Sequence, residues 1–238
     1  MKISKLKILA SGFFVLMLSV FSMSNVKAAE EAKPFKIGPA EISFNAGFMS
    51  AYQWRGEDQN SGDSTASFGA DISLPANVYV GTWTASASAS SSQEVDVYAG
   101  IKPTLGSFGL DLGYIAYVYP GNATTANANF GEYYLGVSYA PEKAPYSFKA
   151  KYSKADSGKC AKGSPASCDN MEYSASYDLL SITYGDYDKN RTYTTLALTK
   201  EYGGISFSAA YTDTDWESGV TKTNNKDNFF VLSATKSF

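Results

Sequence analysis

The sequence predicts an all-β fold, a closed antiparallel transmembrane β-barrel, and three observations predict it. Apolar and polar residues alternate with period two from about residue 41 to the end. The connections between the alternating runs are long and short in turn. No apolar stretch in this region is long enough for a transmembrane helix. A mean hydropathy of -0.21 fits, because a barrel spreads its lipid-facing residues over alternate positions.

The N-terminus is set apart first. Lys2, Lys5 and Lys7 precede an apolar stretch from Ile8 to Phe21, and Val26-Lys27-Ala28 offers small residues at the −3 and −1 positions. This pattern predicts a secretory signal peptide over residues 1–28, then a periplasmic segment over 29–40 and the barrel over 41–238. Losing Lys2, Lys5, Lys7 and Lys27 from 20 basic residues leaves a clearly acidic chain, since 23 acidic residues remain. An acidic chain without a basic block argues against nucleic-acid binding.

The strands follow in order. Ile42, Phe44, Ala46, Phe48, Ser50, Tyr52 and Trp54 form one face of the first, with Ser43, Asn45, Gly47, Met49, Ala51, Gln53 and Arg55 on the other. Ala66, Phe68, Ala70, Ile72 and Leu74 alternate with Ser67, Gly69, Asp71 and Ser73. A less regular run covers 78–88, and Val95, Val97, Ala99 and Ile101 then alternate with Glu94, Asp96, Tyr98, Gly100 and Lys102. Phe108, Leu110, Leu112, Tyr114, Ala116 and Val118 alternate with Gly109, Asp111 and Gly113. Tyr133, Leu135, Val137 and Tyr139 oppose Glu132, Gly136 and Ser138; Tyr146, Phe148, Ala150 and Tyr152 oppose Ser147, Lys149 and Lys151. Met171, Tyr173, Ala175, Tyr177 and Leu179 oppose Glu172, Ser174, Ser176 and Asp178. Runs at 181–186 and 193–202 are less clean, Ile205 to Tyr211 alternates well, and 228–238 closes the series. Twelve strands result, with ten or fourteen as alternatives.

The connections 56–63, 89–93, 120–129, 154–170, 187–192 and 212–227 are long, whereas those between them are short. Long loops outside and short turns on the periplasmic side are what an outer-membrane barrel requires. Closure has a physical cause: in hydrocarbon each unpaired backbone N–H or C=O costs several kcal/mol, so a spanning sheet must have no edge. Aromatic residues near strand ends (Tyr52, Trp54, Trp83, Tyr117, Tyr119, Tyr139, Tyr152, Tyr193 and Tyr211) are expected as interfacial girdles. The terminal Phe238, with Ala234, Leu232 and Phe230 at alternate positions behind it, resembles the strand that the barrel assembly machinery recognises, and Lys236 departs from that pattern.

The chemistry is defined by what is missing. The chain has no His, which excludes His-based triads, His general bases and His-ligated zinc. No phosphate or dinucleotide motif occurs, so neither an enzyme nor a cofactor is expected. Cys160 and Cys168, close together in a polar stretch, are expected to form a loop disulfide after export. The polar parity supplies the pore-lining candidates Arg55, Asp71, Glu94, Asp96, Lys102, Asp111, Glu132, Lys149, Lys151, Glu172, Asp178 and Lys200, with Arg55 the candidate constriction charge. Charges inside can line a water-filled path, or pair across the lumen and plug it.

Several segments resemble the TorF-type porin family of Gram-negative bacteria. They are Ser50-Ala51-Tyr52-Gln53-Trp54-Arg55-Gly56, Tyr79-Val80-Gly81-Thr82-Trp83, Glu94-Val95-Asp96-Val97-Tyr98-Ala99-Gly100, Gly113-Tyr114-Ile115-Ala116-Tyr117-Val118-Tyr119-Pro120-Gly121 and Glu132-Tyr133-Tyr134. Glu57-Asp58 stands where that family commonly has an apolar residue after Arg-Gly. The resemblance implies an outer-membrane barrel of a porin group; a barrel this small is expected to be a monomer in outer-membrane lipid, passing small solutes or ions. A plugged surface-interaction barrel and a secreted β-sandwich are the other readings.

Overall fold

A computed structural model describes residues 35–87, 93–120, 129–156, 169–188, 190–220 and 227–238. The expected signal peptide and the Cys160–Cys168 pair lie outside the described residues. Among the described residues sixteen strands run in chain order: β1 (Phe35–Ile37), β2 (Ala40–Met49), β3 (Gln53–Trp54), β4 (Glu57–Asp58), β5 (Thr65–Leu74), β6 (Val78–Ala85), β7 (Glu94–Ile101), β8 (Thr104–Leu105), β9 (Phe108–Val118), β10 (Phe130–Tyr139), β11 (Tyr146–Ala155), β12 (Asn170–Tyr177), β13 (Leu180–Tyr187), β14 (Arg191–Tyr202), β15 (Ile205–Trp216) and β16 (Asn228–Ser237).

Twelve of these are staves of one closed antiparallel barrel. Each stave pairs with the next stave in sequence, passing over β8 and the β3–β4 pair, and the ring shuts where β16 meets β2. That seam matches Ser233 with Met49 and Ser237 with Asn45, and Phe238 extends it by exchanging backbone hydrogen bonds with Phe44. Every stave therefore has a partner on both sides, as a sheet in hydrocarbon requires. β8 merely tightens the turn before β9, and β1 folds back from Gly38 to pair Phe35 with Ile42.

Parity sorts the residues by face. Phe44, Phe48, Phe68, Val97, Leu112, Leu135, Leu196 and Leu232 are all exposed on the outside. An apolar surface continuous around the ring has no counterpart in a protein surrounded by water, and lipid is the solvent that suits it. The inner parity is polar or aromatic and largely buried.

The stave ends Met49 and Thr65, Ala85 and Glu94, Val118 and Phe130, Ala155 and Asn170, Tyr187 and Arg191, and Trp216 and Asn228 lie at one end of the barrel, the loop end. Connections 75–77, 102–107, 140–145, 178–179 and 203–204 lie at the other, the turn end.

Two expectations are corrected, the extent of the first strand and the aromatic girdle. β2 stops at Met49, not at Trp54, and residues 51–60 turn into the barrel as a small hairpin built from β3 and β4. The aromatic girdle is correspondingly smaller. Tyr139, Tyr152 and Tyr211 stand on the outer face, but Tyr52, Trp83, Tyr117 and Tyr193 are buried inside, Trp54 packs among them, and the Tyr119 hydroxyl reaches Glu94. Near the loop end the barrel has an interior to pack, because the hairpin fills it.

Candidate functional site

The hairpin of residues 51–60 crosses the lumen and is held on several sides. Arg55, with φ 46, and Gly56, with φ 80, form its tip. The Arg55 guanidinium donates two parallel hydrogen bonds to the Glu132 carboxylate of β10, at 2.7 and 2.6 Å. Arg191 of β14 reaches from the opposite direction: its Nε donates to the Arg55 carbonyl at 2.6 Å, and its guanidinium pairs with Glu57 at 3.0 Å. Thr214 of β15 donates to the Gly56 carbonyl at 2.7 Å, Gln53 donates to Thr195 of β14 at 2.9 Å, and Tyr52 donates to Glu94 of β7 at 2.6 Å. Residues of β7, β10, β14 and β15 thus grip one short segment.

Packing reinforces the polar grip. Trp54 makes edge contacts with Tyr117, Phe130 and Tyr187, and the Arg55 guanidinium lies 4.6 Å from the Trp54 ring centre. Arg191 sits similarly over Trp216 at 4.7 Å. A weakly hydrated, planar guanidinium can be buried this way, since its face meets a ring while its edge meets a carboxylate. Gly56 is required by more than its backbone angle: a Cβ there would stand 2.5 Å from the Tyr193 Cβ.

A second device lines the wall. Tyr98, Tyr134, Tyr79 and Tyr193 each lie over a glycine directly across a strand pair: Gly81, Gly113, Gly100 and Gly185. The bare glycine backbone lets the ring lie flat along the wall. The hydroxyls then find acceptors, Tyr98 on Asp71 at 2.6 Å and Tyr79 on Asp111 at 2.7 Å, with Tyr134 bonded in turn to Tyr79.

Beyond the hairpin the lumen is more open. Asp111, Lys149, Lys151 and Glu172 are inward but only partly buried or exposed. Lys151 lies opposite Glu172 across β11 and β12, and its ammonium is 4.5 Å from the Tyr134 ring centre. Lys102, in the turn after β7, has its ammonium pulled below the ordinary value, chiefly by burial; Lys149 adds to the effect, and Asp111 and Asp71 oppose it.

Of the sequence-predicted site residues, Asp71, Glu94, Asp96, Asp111, Glu132, Lys149, Lys151 and Glu172 share the inner parity. Arg55 is inside too, but it comes from the hairpin and not from a stave. Two residues are corrections. Lys200 shares the outer face of β14 with Leu196 and Leu198, directly opposite Phe207, because the greasy side of that strand is set by its leucines and not by Tyr193. Asp178 is exposed in the turn after β12, with φ 52, and its N–H donates to the Pro145 carbonyl at 2.7 Å. The sequence reading missed Arg191 and Glu57, which it left in connections. The signal for both was their charge beside the aromatic residues Trp54 and Tyr193. Among the described residues no group of three or more His, Cys, Asp or Glu converges to hold a metal.

Residues 33–238 match the family model described as bacterial protein of unknown function (Gcw_chp), and the chain belongs to that family. No curated protein matches it by sequence. In structure it is similar to a KdgM porin, with TM-score 0.52 and 10% identity over 84% of this chain and 99% of that one. A protein solved in work on the in-meso crystallization of membrane proteins aligns with TM-score 0.50 and 12% identity over 83% of each chain. A NanC porin aligns with TM-score 0.47 and 9% identity, over 82% of this chain and 97% of that one. At such identities the likeness to the first two speaks for the barrel fold.

Proposed function

We propose that this member of the Gcw_chp family is a passive outer-membrane channel for small hydrophilic solutes or ions, narrowed at its loop end by the hairpin of residues 51–60. Its loop end faces outward and its turn end the periplasm, as the unequal connections suggest. The observation that carries the reading is the contrast between the two halves of the lumen. Lys149 and Asp111 toward the turn end, and the Lys151–Glu172 pair at mid-strand, keep part of their surface accessible; the loop end is crossed by a hairpin fixed by two Arg–Glu pairs. Charges kept inside a barrel bias what passes, and a segment that fills part of the bore sets the size limit. Catalysis has no support from the lumen: no His is present, and Glu57 and Glu132 are committed to arginines. The resemblance of residues 45–139 to TorF-type porins supports the same reading.

The alternative is a plugged barrel that presents its loops to partners, favoured by the completeness of the buried network around Arg55 and Arg191. Flux through reconstituted liposomes separates the two. The channel reading expects swelling in small sugars, with a sharp cut-off as solute size rises. No swelling with any solute, at a protein load where a known porin equilibrates in seconds, would establish the plug.

A further inference from the structure

Beside the hairpin the charges do not balance. Arg55 neutralises Glu132, and Arg191 neutralises Glu57. Glu94 and Asp96, two apart on the inner face of β7, have no arginine or lysine as an ion-pair partner among the described residues. Glu94 receives the Tyr52 hydroxyl at 2.6 Å and the Tyr119 hydroxyl at 2.9 Å. Asp96 is 0% exposed, and among the described residues neither of its carboxylate oxygens has a hydrogen-bond donor. The charged groups that bear on it are two further carboxylates, those of Glu94 and Glu132. A carboxylate buried without a donor or counter-charge is costly by any measure, so this arrangement calls for a positive species.

We propose that Glu94 and Asp96 bind a hard monovalent cation, Na+ or K+, in the barrel wall beneath Tyr52. Carboxylate and phenol oxygens suit a hard ion and not a thiophilic metal. Glu94 already receives two phenol hydroxyls, so Asp96 is the one of these two carboxylates left without compensation among the described residues, and a single monovalent ion balances its charge. The bound ion also steadies the hairpin, because Tyr52 is tied to Glu94 and rests 5.6 Å from the Trp83 ring centre. This inference needs the barrel and its hairpin but not transport, so it stands or falls apart from the channel reading.

Thermal unfolding of the folded full-length protein in detergent at neutral pH tests it, followed by the loss of the heat-modifiable band. The series compares NaCl, KCl, CaCl2 and choline chloride at equal ionic strength. Na+ or K+ is expected to raise the melting temperature by about 3 °C over choline. Asp96→Asn should abolish that difference and raise the melting temperature in choline, because the orphan charge is gone. Glu94→Gln, which keeps the shape of the side chain, should reduce the difference and serves if Asp96→Asn does not fold. Equal melting in all four salts overturns the proposal and leaves a proton as the positive species. An effect of Ca2+ alone overturns the monovalent assignment.

Discussion

At the scale of single residues, burial of paired charge matters most. The side chains of Arg55 and Glu132 are almost fully buried and bonded through two atoms each. Removing one partner of such a pair typically costs about 3–5 kcal/mol, because the other is left buried and alone. Glu132→Gln is therefore predicted to loosen the hairpin while the staves persist. Trypsin reads this directly: the Arg55–Gly56 bond should resist cleavage in the native protein and be cut in the variant, as seen by mass spectrometry. Resistance in both would mean that the pair does not hold the hairpin. Lys200 gives the opposite case. It stands outside the lumen near the turn end, within reach of the interface, where a long side chain can lift its charge into water. Lys200→Ala is predicted to alter stability by less than about 0.5 kcal/mol. Leu196→Lys, on the same face but further along β14, should cost about 2–4 kcal/mol. Equilibrium unfolding from lipid vesicles checks both.

At the scale of elements, the staves were readable from sequence because each solves one problem, greasy outside and polar inside. Phe44 and Phe48 point out and Asn45 points in, as the alternation over 42–49 demands. The same rule failed one turn later. Tyr52 and Trp54 continue the alternating pattern formally, but their apolar surface is met by Trp83, Tyr117 and Phe130 inside the barrel and not by lipid. A period-two pattern cannot tell these solvents apart. Only the third dimension shows that the chain bends at residue 50 and returns. β14 failed for a related reason: its inner face carries Tyr193, whose ring lies over Gly185, so an aromatic residue marks the polar side. That pairing makes a prediction. Gly185→Ala forces a Cβ into the Tyr193 ring and should destabilise the barrel by about 1–3 kcal/mol. Gly136→Ala should be nearly silent, since the nearest atom there is 3.5 Å away. Equal effects of the two in unfolding experiments would remove the packing explanation.

At the scale of the whole molecule, closure and obstruction act together. Backbone pairing around twelve staves lets the sheet live in hydrocarbon, and the seam between β16 and β2 completes it. The hairpin then occupies the space that closure creates, and its grip on β7, β10, β14 and β15 ties distant parts of the ring across the bore. Strand number and the alternation of loops were legible before the structure, because local pattern encodes them. The contents of the lumen were not. They depend on Arg55 finding Glu132 and Arg191 finding Glu57 across the barrel, and nothing in the spacing of those residues announces it. The most direct measurement is the single-channel conductance of the native protein beside a variant in which residues 52–59 are replaced by a Gly-Ser linker. With the hairpin as the obstruction, the variant keeps its heat-modifiable barrel and conducts in stable steps several-fold larger than the native protein. Identical conductance in the two, or silence from a folded variant, would contradict it.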